Sequence, residues 1–325
     1  MPIVVRPFVT PKPPEPGLPV PPPIVPVGTI RATWTDPDGQ EWELTGPSDV
    51  HGVFTRPQIG GWGANPVTIV TDPLARGGVM VRHVRAEPRR LTWPLHIHGE
   101  DPKSGTITHE LFLARYRALV RAFTLTVHRN RPGILRVWRP DGTAREIDCW
   151  YEDGLSGEPG ENWVSANPAV TLLCPDGYWR DVTPQRVYHE YASAGIPYLD
   201  PYLTVSTSQV LGDVTITNRG EVAAWPRWTI TGPAASITAT NHTLGGAAFT
   251  ITYSLAPGQT ITIDTTGGRP TVRGPGGINL VGHLNWPGAE LWPLAPGSNQ
   301  VSYSVQGASP GTSVELVFYP RYEAA

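Results

Sequence analysis

Cysteine, lysine and methionine are scarce in this sequence, and the first shortage already removes a class of explanation. Two cysteines, Cys149 and Cys174, in a chain of 325 residues cannot form a disulfide framework, and neither stands in a C-x-x-C spacing for metal or redox chemistry. They are expected to be core thiols on candidate strands of one domain, able to meet across a sheet without bonding. Charged residues make up only 16%, and a formal net charge of −3 supplies no field that would gather nucleic acid or an anionic membrane. Neither sequence-specific nucleic-acid binding nor a membrane role is expected. Lys12 and Lys103 are the only lysines among 25 basic residues, a bias that codon composition explains as readily as any arginine chemistry.

Long apolar runs are missing too. No stretch approaches the roughly 18 apolar residues of a membrane span, and the start MPIVVRPFVTPKPPEP lacks a basic region followed by an unbroken apolar one. A soluble protein made in the cytoplasm is the expectation. The commonest enzyme signatures are absent: no G-x-S-x-G elbow, no H-E-x-x-H, no phosphate loop and no strand-placed G-x-G-x-x-G. No catalysis, no cofactor and no metal site are expected.

What the sequence does have is glycine (35), proline (37) and tryptophan (12), a mixture hostile to long helices but rich in core material. A mainly β fold follows. Eleven of the 37 prolines lie in residues 1–26, which read as an extended, polyproline-like arm able to reach a neighbouring subunit. Arg31 to Thr35, the turn Asp36-Pro37-Asp38-Gly39 and Glu41 to Thr45 read as a β-hairpin. Pro-Asp-Gly returns at Pro140-Asp141-Gly142 and Pro175-Asp176-Gly177, where proline fixes φ and glycine permits positive φ, so these aspartates belong to turns.

One segment has helical period: Phe112, Tyr116, Leu119 and Phe123 predict a helix near 108–123 packed on a sheet, with Arg115, Arg117 and Arg121 off the stripe. Strands are expected after it at 125–129, 134–139, 147–151 and 169–174. A crossover near 192–205 separates a domain of residues 27–205 from a second of residues 206–325. The latter alternates threonine with aliphatics at 214–217, 236–239, 249–253 and 260–263 and ends in the run 314–319, as an antiparallel β-sandwich does.

Several residues merit weighing for chemistry. His96-Ile97-His98-Gly99-Glu100-Asp101 places two imidazoles on one strand face, but no further His or Cys lies near in sequence, so surface histidines explain it better. Asp213, Glu221 and Asp264 would have to converge to form a glycosidase pair, and their turn-like settings argue against it. Trp225, Trp286 and Trp292 would serve a carbohydrate-binding face if they project outward, although most second-half aromatics are expected in the core. The stretch Arg82 to Arg90 reads most simply as a solvated strand end.

The order of these parts resembles the distal tail proteins, or minor tail proteins, of long non-contractile-tailed bacteriophages. The resemblance rests on Ala32 to Trp42, on Arg139-Pro140-Asp141-Gly142 followed by Leu172 to Trp179, and most specifically on Ile216 to Pro233, which is similar to the family's N-x-G…P-x-W-x-I-x-G-P stretch. Leu255 to Thr265 and Leu294 to Asn299 resemble its later turns. The resemblance implies an N-terminal β-rich ring domain with one helix and a C-terminal galectin-like antiparallel β-sandwich. It further implies a hexameric ring at the distal end of the virion tail, joining the tail tube protein to tail tip or baseplate proteins, with the tape measure protein a further candidate neighbour. In some members the C-terminal sandwich binds host cell-wall glycan, which makes a carbohydrate-binding tail adhesin the alternative. The proline-rich arm departs from the family's core pattern.

Overall fold

The computed structural model describes residues 31–45, 53–56, 59–156, 164–191 and 210–325. The proline-rich arm of residues 1–26 and the crossover expected near 192–205 lie outside them. The chain is mainly β and is organised around two hydrophobic cores, one built from residues between Ala32 and Trp179 and one from residues between Ile216 and Phe318.

The first core lies between a large antiparallel sheet and a single long helix. Along the sheet the strands run Glu41–Thr45, Arg31–Thr35, Gly133–Trp138, Ala144–Gly154, Ala169–Cys174, Arg89–His98 and Val53–Thr55. Arg89–His98 buries every second residue, Leu91, Trp93, Leu95 and Ile97, because side chains two apart share a face of the pleat. The expected first hairpin is present with its predicted ends, and Asp36 closes its turn by accepting from the backbone N–H groups of Asp38 and Gln40, both at 3.0 Å.

The helix spans His109–Arg129, capped at its start by Thr108, whose hydroxyl accepts from Leu111 N at 3.2 Å, and ended by Asn130 in the left-handed region. It therefore runs through the strand expected at 125–129. Thr126 and Val127 give that stretch a β-branched look, yet Asn130-Arg131-Pro132-Gly133 is the first terminating sequence the chain meets. Thr126 suits the helix's inner side because its hydroxyl donates to Phe123 O at 2.9 Å and accepts from Tyr151 N at 3.1 Å. Phe112, Leu119, Ala122 and Phe123 are buried against the sheet, where Trp34 donates to Ala122 O at 3.1 Å and packs on Phe123 at 4.7 Å. Gly133 is required here, since a Cβ would fall 2.3 Å from the Trp34 ring.

The second core is a two-sheet sandwich. Its five-stranded sheet runs Gln185–Glu190, Ser313–Phe318, Arg227–Thr231, Thr260–Asp264 and Thr271–Arg273, and its four-stranded sheet runs Val210–Asn218, Gly297–Gln306, Ala234–Asn241 and Ala247–Leu255. The alternating runs read from sequence all fall on these strands. Gln185–Glu190 is paired with Ser313–Phe318, so the chain already contributes to the sandwich before the expected crossover.

Between the cores lies a seam closed by the chain's last residues. Arg321–Tyr322 leaves the sandwich and pairs with Trp179–Asp181 of the first sheet. Arg89, only 1% exposed, donates to the carbonyls of Gly61, Gly177 and Glu323 at 2.7 Å each and to that of Gly63. Burial pulls its guanidinium below its ordinary pKa, but a charge that saturates four carbonyls is well compensated.

Candidate functional surfaces

The structure scatters the acidic candidates. Asp213 is exposed on one sheet opposite Ser302, whereas Asp264 ends a strand of the other sheet and accepts from Thr266 N at 3.0 Å and its hydroxyl at 2.6 Å. Glu221 accepts from Glu323 N at 3.0 Å in the seam. No paired-carboxylate cleft forms from these three. His96 and His98 do stack at 5.8 Å on one strand face, but His96 contacts Asn167 at 2.7 Å and His98 accepts from Glu100 N at 3.2 Å. No group of three metal-ligating side chains occurs among the described residues, and no helix among them is long and apolar enough to cross a membrane.

Of the three tryptophans weighed for an outward carbohydrate-binding face, one is in the core. Trp292 is 1% exposed and wedges edge-on against Trp228 at 4.7 Å, with its indole N–H donating to Ala239 O at 3.2 Å. Leu291 to Leu294 fold inward between the sheets, so the ring fills the core. Trp225 and Trp286 are exposed, at 41% and 55%. Trp286 is held by a 2.9 Å hydrogen bond from its indole N–H to Val281 O. No ring contact joins Trp225 to Trp286.

Cys149 and Cys174 stand on adjacent strands with their sulfurs 3.3 Å apart, both buried and unbonded. Burial and the neighbouring thiol push Cys149 well above the ordinary thiol range, so little of the reactive thiolate forms there.

The stretch Arg82 to Arg90 resolves into three environments. Arg82 and Arg85 pair with Asp72 and Glu87 on an exposed ribbon, Arg89 is buried in the seam, and Arg90 grips Glu152 with contacts of 2.8–3.0 Å. The Glu87 carboxyl sits below its usual pKa because Thr68, and then Arg85, bond it.

That ribbon was not legible as a site. Val67–Pro73 and Val79–Ala86 form a two-stranded antiparallel sheet, and among the described residues neither pairs with any other strand. Directly opposed residues share a face. The register pairs Val67 with Ala86 and Ile69 with Val84 and, past a bulge that leaves Arg82 unpaired, Thr71 with Val81 and Pro73 with Val79; these eight paired residues carry no charge. The other face carries Thr68, Arg85, Val70, His83, Asp72 and Met80. Five aliphatic side chains of the uncharged face are more than half exposed. A second apolar surface lies along the outer side of the helix, where Tyr116, Val120, Leu125 and Leu155 floor an open groove of about 560 Å³ rimmed by Arg117, Arg121 and His128. Leu155 is held there with φ of 54°, its carbonyl accepting from the Tyr116 hydroxyl at 2.9 Å.

Comparison with known proteins agrees with this architecture. Residues 219–322 match the model of the siphovirus-type tail component, C-terminal domain. Among solved structures, the SPP1 Dit protein, described as a paradigm of the hub adsorption apparatus in phages infecting Gram-positive bacteria, superposes with a TM-score of 0.60 at 12% identity, covering 90% of this chain and 98% of that one. A chain of the phage P2 baseplate in its activated conformation with calcium superposes at 0.53, also at 12% identity, covering 91% and 99%. The same baseplate with strontium gives 0.52 at 12% identity, covering 92% and 100%. No curated protein matches the sequence significantly. The expected mainly β fold is met: residues 219–322 match the siphovirus-type tail component C-terminal domain, and the chain as a whole has the fold of SPP1 Dit.

Proposed function

We propose that this chain is a structural component of a phage tail tip, located at the distal end of the virion tail. In this reading six copies form a ring that joins the tail tube to the proteins that recognise the host. The domain around the first core builds the ring, and the sandwich, which takes in Gln185–Glu190 as well as the expected second domain, projects outward. Carrying this reading is the superposition on SPP1 Dit across nearly the whole of both chains, together with the family match in the sandwich. The scattered carboxylates give no support to hydrolysis of host wall, so no catalytic role is assigned.

Physical support comes from the unequal finish of the two halves. A rotational ring needs heterologous surfaces, one giving and one receiving, on each copy. The first half leaves two apolar surfaces open, the ribbon and the helix groove, whereas the seam fixes the second half against the first. Light scattering of the purified chain across a concentration series, with electron micrographs of the same sample, tests the ring. A mass near six protomers with ring images is expected; a monomer at every concentration, even with tail tube protein added, would overturn it.

A second reading, a tail adhesin for host carbohydrate, draws on the exposed Trp225 and Trp286. It requires quenching of tryptophan fluorescence by host cell-wall glycans, lost in Trp286→Ala; no response would remove it.

A further inference from the structure

We propose that the uncharged face of the ribbon of one copy lies along the helix groove of a second copy, a proposal that rests on the ring reading and gives its contact. A two-stranded ribbon with one bare apolar face is marginal in water on its own. Aliphatic side chains such as Val67, Ile69, Val81 and Val84 would each gain from burial, and no other described strand pairs with the ribbon.

Three features select the groove of another copy as the receiver. The first is size: the seven residues Val67–Pro73 extend about 23 Å at ~3.3 Å per residue. The groove from Tyr116 to His128 runs about 18 Å along a helix rising ~1.5 Å per residue. The second is chemistry. The ribbon face carries no charge, so it meets the apolar floor without opposing Arg117 or Arg121, while Arg82 and Arg85 are neutralised by Asp72 and Glu87. The third is arrangement. No ribbon residue lines the groove of its own chain, so giver and receiver are different surfaces, the condition for a contact that propagates and closes by rotation.

The test uses the full chain with two added cysteines, Thr71→Cys on the ribbon face and Thr124→Cys in the groove. Both native cysteines are buried. Mild oxidation should give a ladder of covalent multimers on a non-reducing gel, which neither single variant gives. A covalently closed monomer, or no ladder from a sample of multimeric mass, overturns the contact and leaves the ring reading intact. A chain that is monomeric at every concentration, even with tail tube protein added, overturns both.

A second pair of variants checks the receiver. Val81→Lys/Val84→Lys should reduce the mass to that of one 35.3 kDa chain without moving the thermal midpoint, because the side chains are exposed in the lone protomer. Val81→Glu/Val84→Glu should retain more of the multimer, since the added carboxylates face Arg117 and Arg121. Equal loss in the two variants would overturn the groove as the receiving surface.

Discussion

The sandwich and the ribbon use similar residues to opposite ends. In the sandwich, threonine and aliphatics alternate along strands whose inner faces meet one another, and Trp228, Phe249, Trp292 and Tyr303 interlock there at centroid distances of 4.7–6.4 Å. In the ribbon, valine, isoleucine and threonine also alternate, with a bulge at Val70/Thr71, but the apolar face has no opposite sheet among the described residues. Local sequence makes the strand in both cases; only the presence of a second layer decides whether burial is completed within one chain. The sandwich is thus a finished structure, and the ribbon is half of an interface.

The largest effect should come from cutting the finished part. Trp292→Ala removes a ring with 1% exposure and should lower the stability of the sandwich by about 4 kcal/mol in denaturant titrations, the usual scale for a buried aromatic. Trp286→Ala, at 55% exposure, should stay within about 0.5 kcal/mol of the parent. Similar losses from the two variants would mean that Trp286 is covered in solution.

Next comes the seam, where the comparison can be broken from the other side. Arg89→Met would leave the carbonyls of Gly61, Gly63, Gly177 and Glu323 without their donor, at a cost of about 3 kcal/mol. Beyond the lost stability, the two cores should unfold at separate midpoints, because Tyr322 and Ala325 would no longer be held against the first core. Calorimetry resolves this: a single unshifted transition would show that the seam does not depend on Arg89. Tyr322 should report the same event optically. Burial, then its hydrogen bond to Asp181, pushes its phenol up to about 12, so ionisation near the ordinary tyrosine value would signal an opened seam.

Replacing Val67–Ala86 by a short glycine-serine linker should barely change protomer stability, within about 0.5 kcal/mol, while abolishing assembly. A large loss of protomer stability would make the ribbon part of the fold and erase the contrast with the sandwich.

Much of this was legible in the sequence. The first hairpin, the strand Ala169–Cys174 and the sandwich runs were marked by period-two alternation, several of them beside Pro-Asp-Gly or Pro-Gly turns, signals that tertiary context leaves unchanged. The helix end was misread because Thr126 and Val127 are β-branched, and a buried hydrogen-bonded threonine on a helix looks like a strand residue. Which of Trp225, Trp286 and Trp292 would lie in the core was open in the sequence, because tryptophan serves a core or a sugar face equally well and the choice depends on the path of the irregular segment around it. The ribbon's alternation and its Gly77-Gly78 turn were both visible; the missing layer above it was not, since that is a property of the whole fold. Arg89 gave no signal at all among its neighbouring arginines, for its four carbonyl partners are distant in sequence.

The smallest expected effect is a pH slope confined to the sandwich. His189 packs on Tyr303 at 5.7 Å, its Nε2 is buried without a hydrogen-bond partner, and burial lowers its pKa below the ordinary imidazole value. Below about pH 6.5 the unfolded chain takes up a proton that the folded chain resists, so stability should fall as pH drops through that value and be unaffected above it. His189→Phe should flatten this part of the profile in stability measured between pH 7.5 and 5.5, since other groups contribute equally to both proteins. If Arg89→Met has separated the two transitions, the slope should follow the sandwich transition alone. A slope shared by both transitions would mean that the cores remain coupled without the arginine, and that the boundary between finished and unfinished halves lies elsewhere than in the seam.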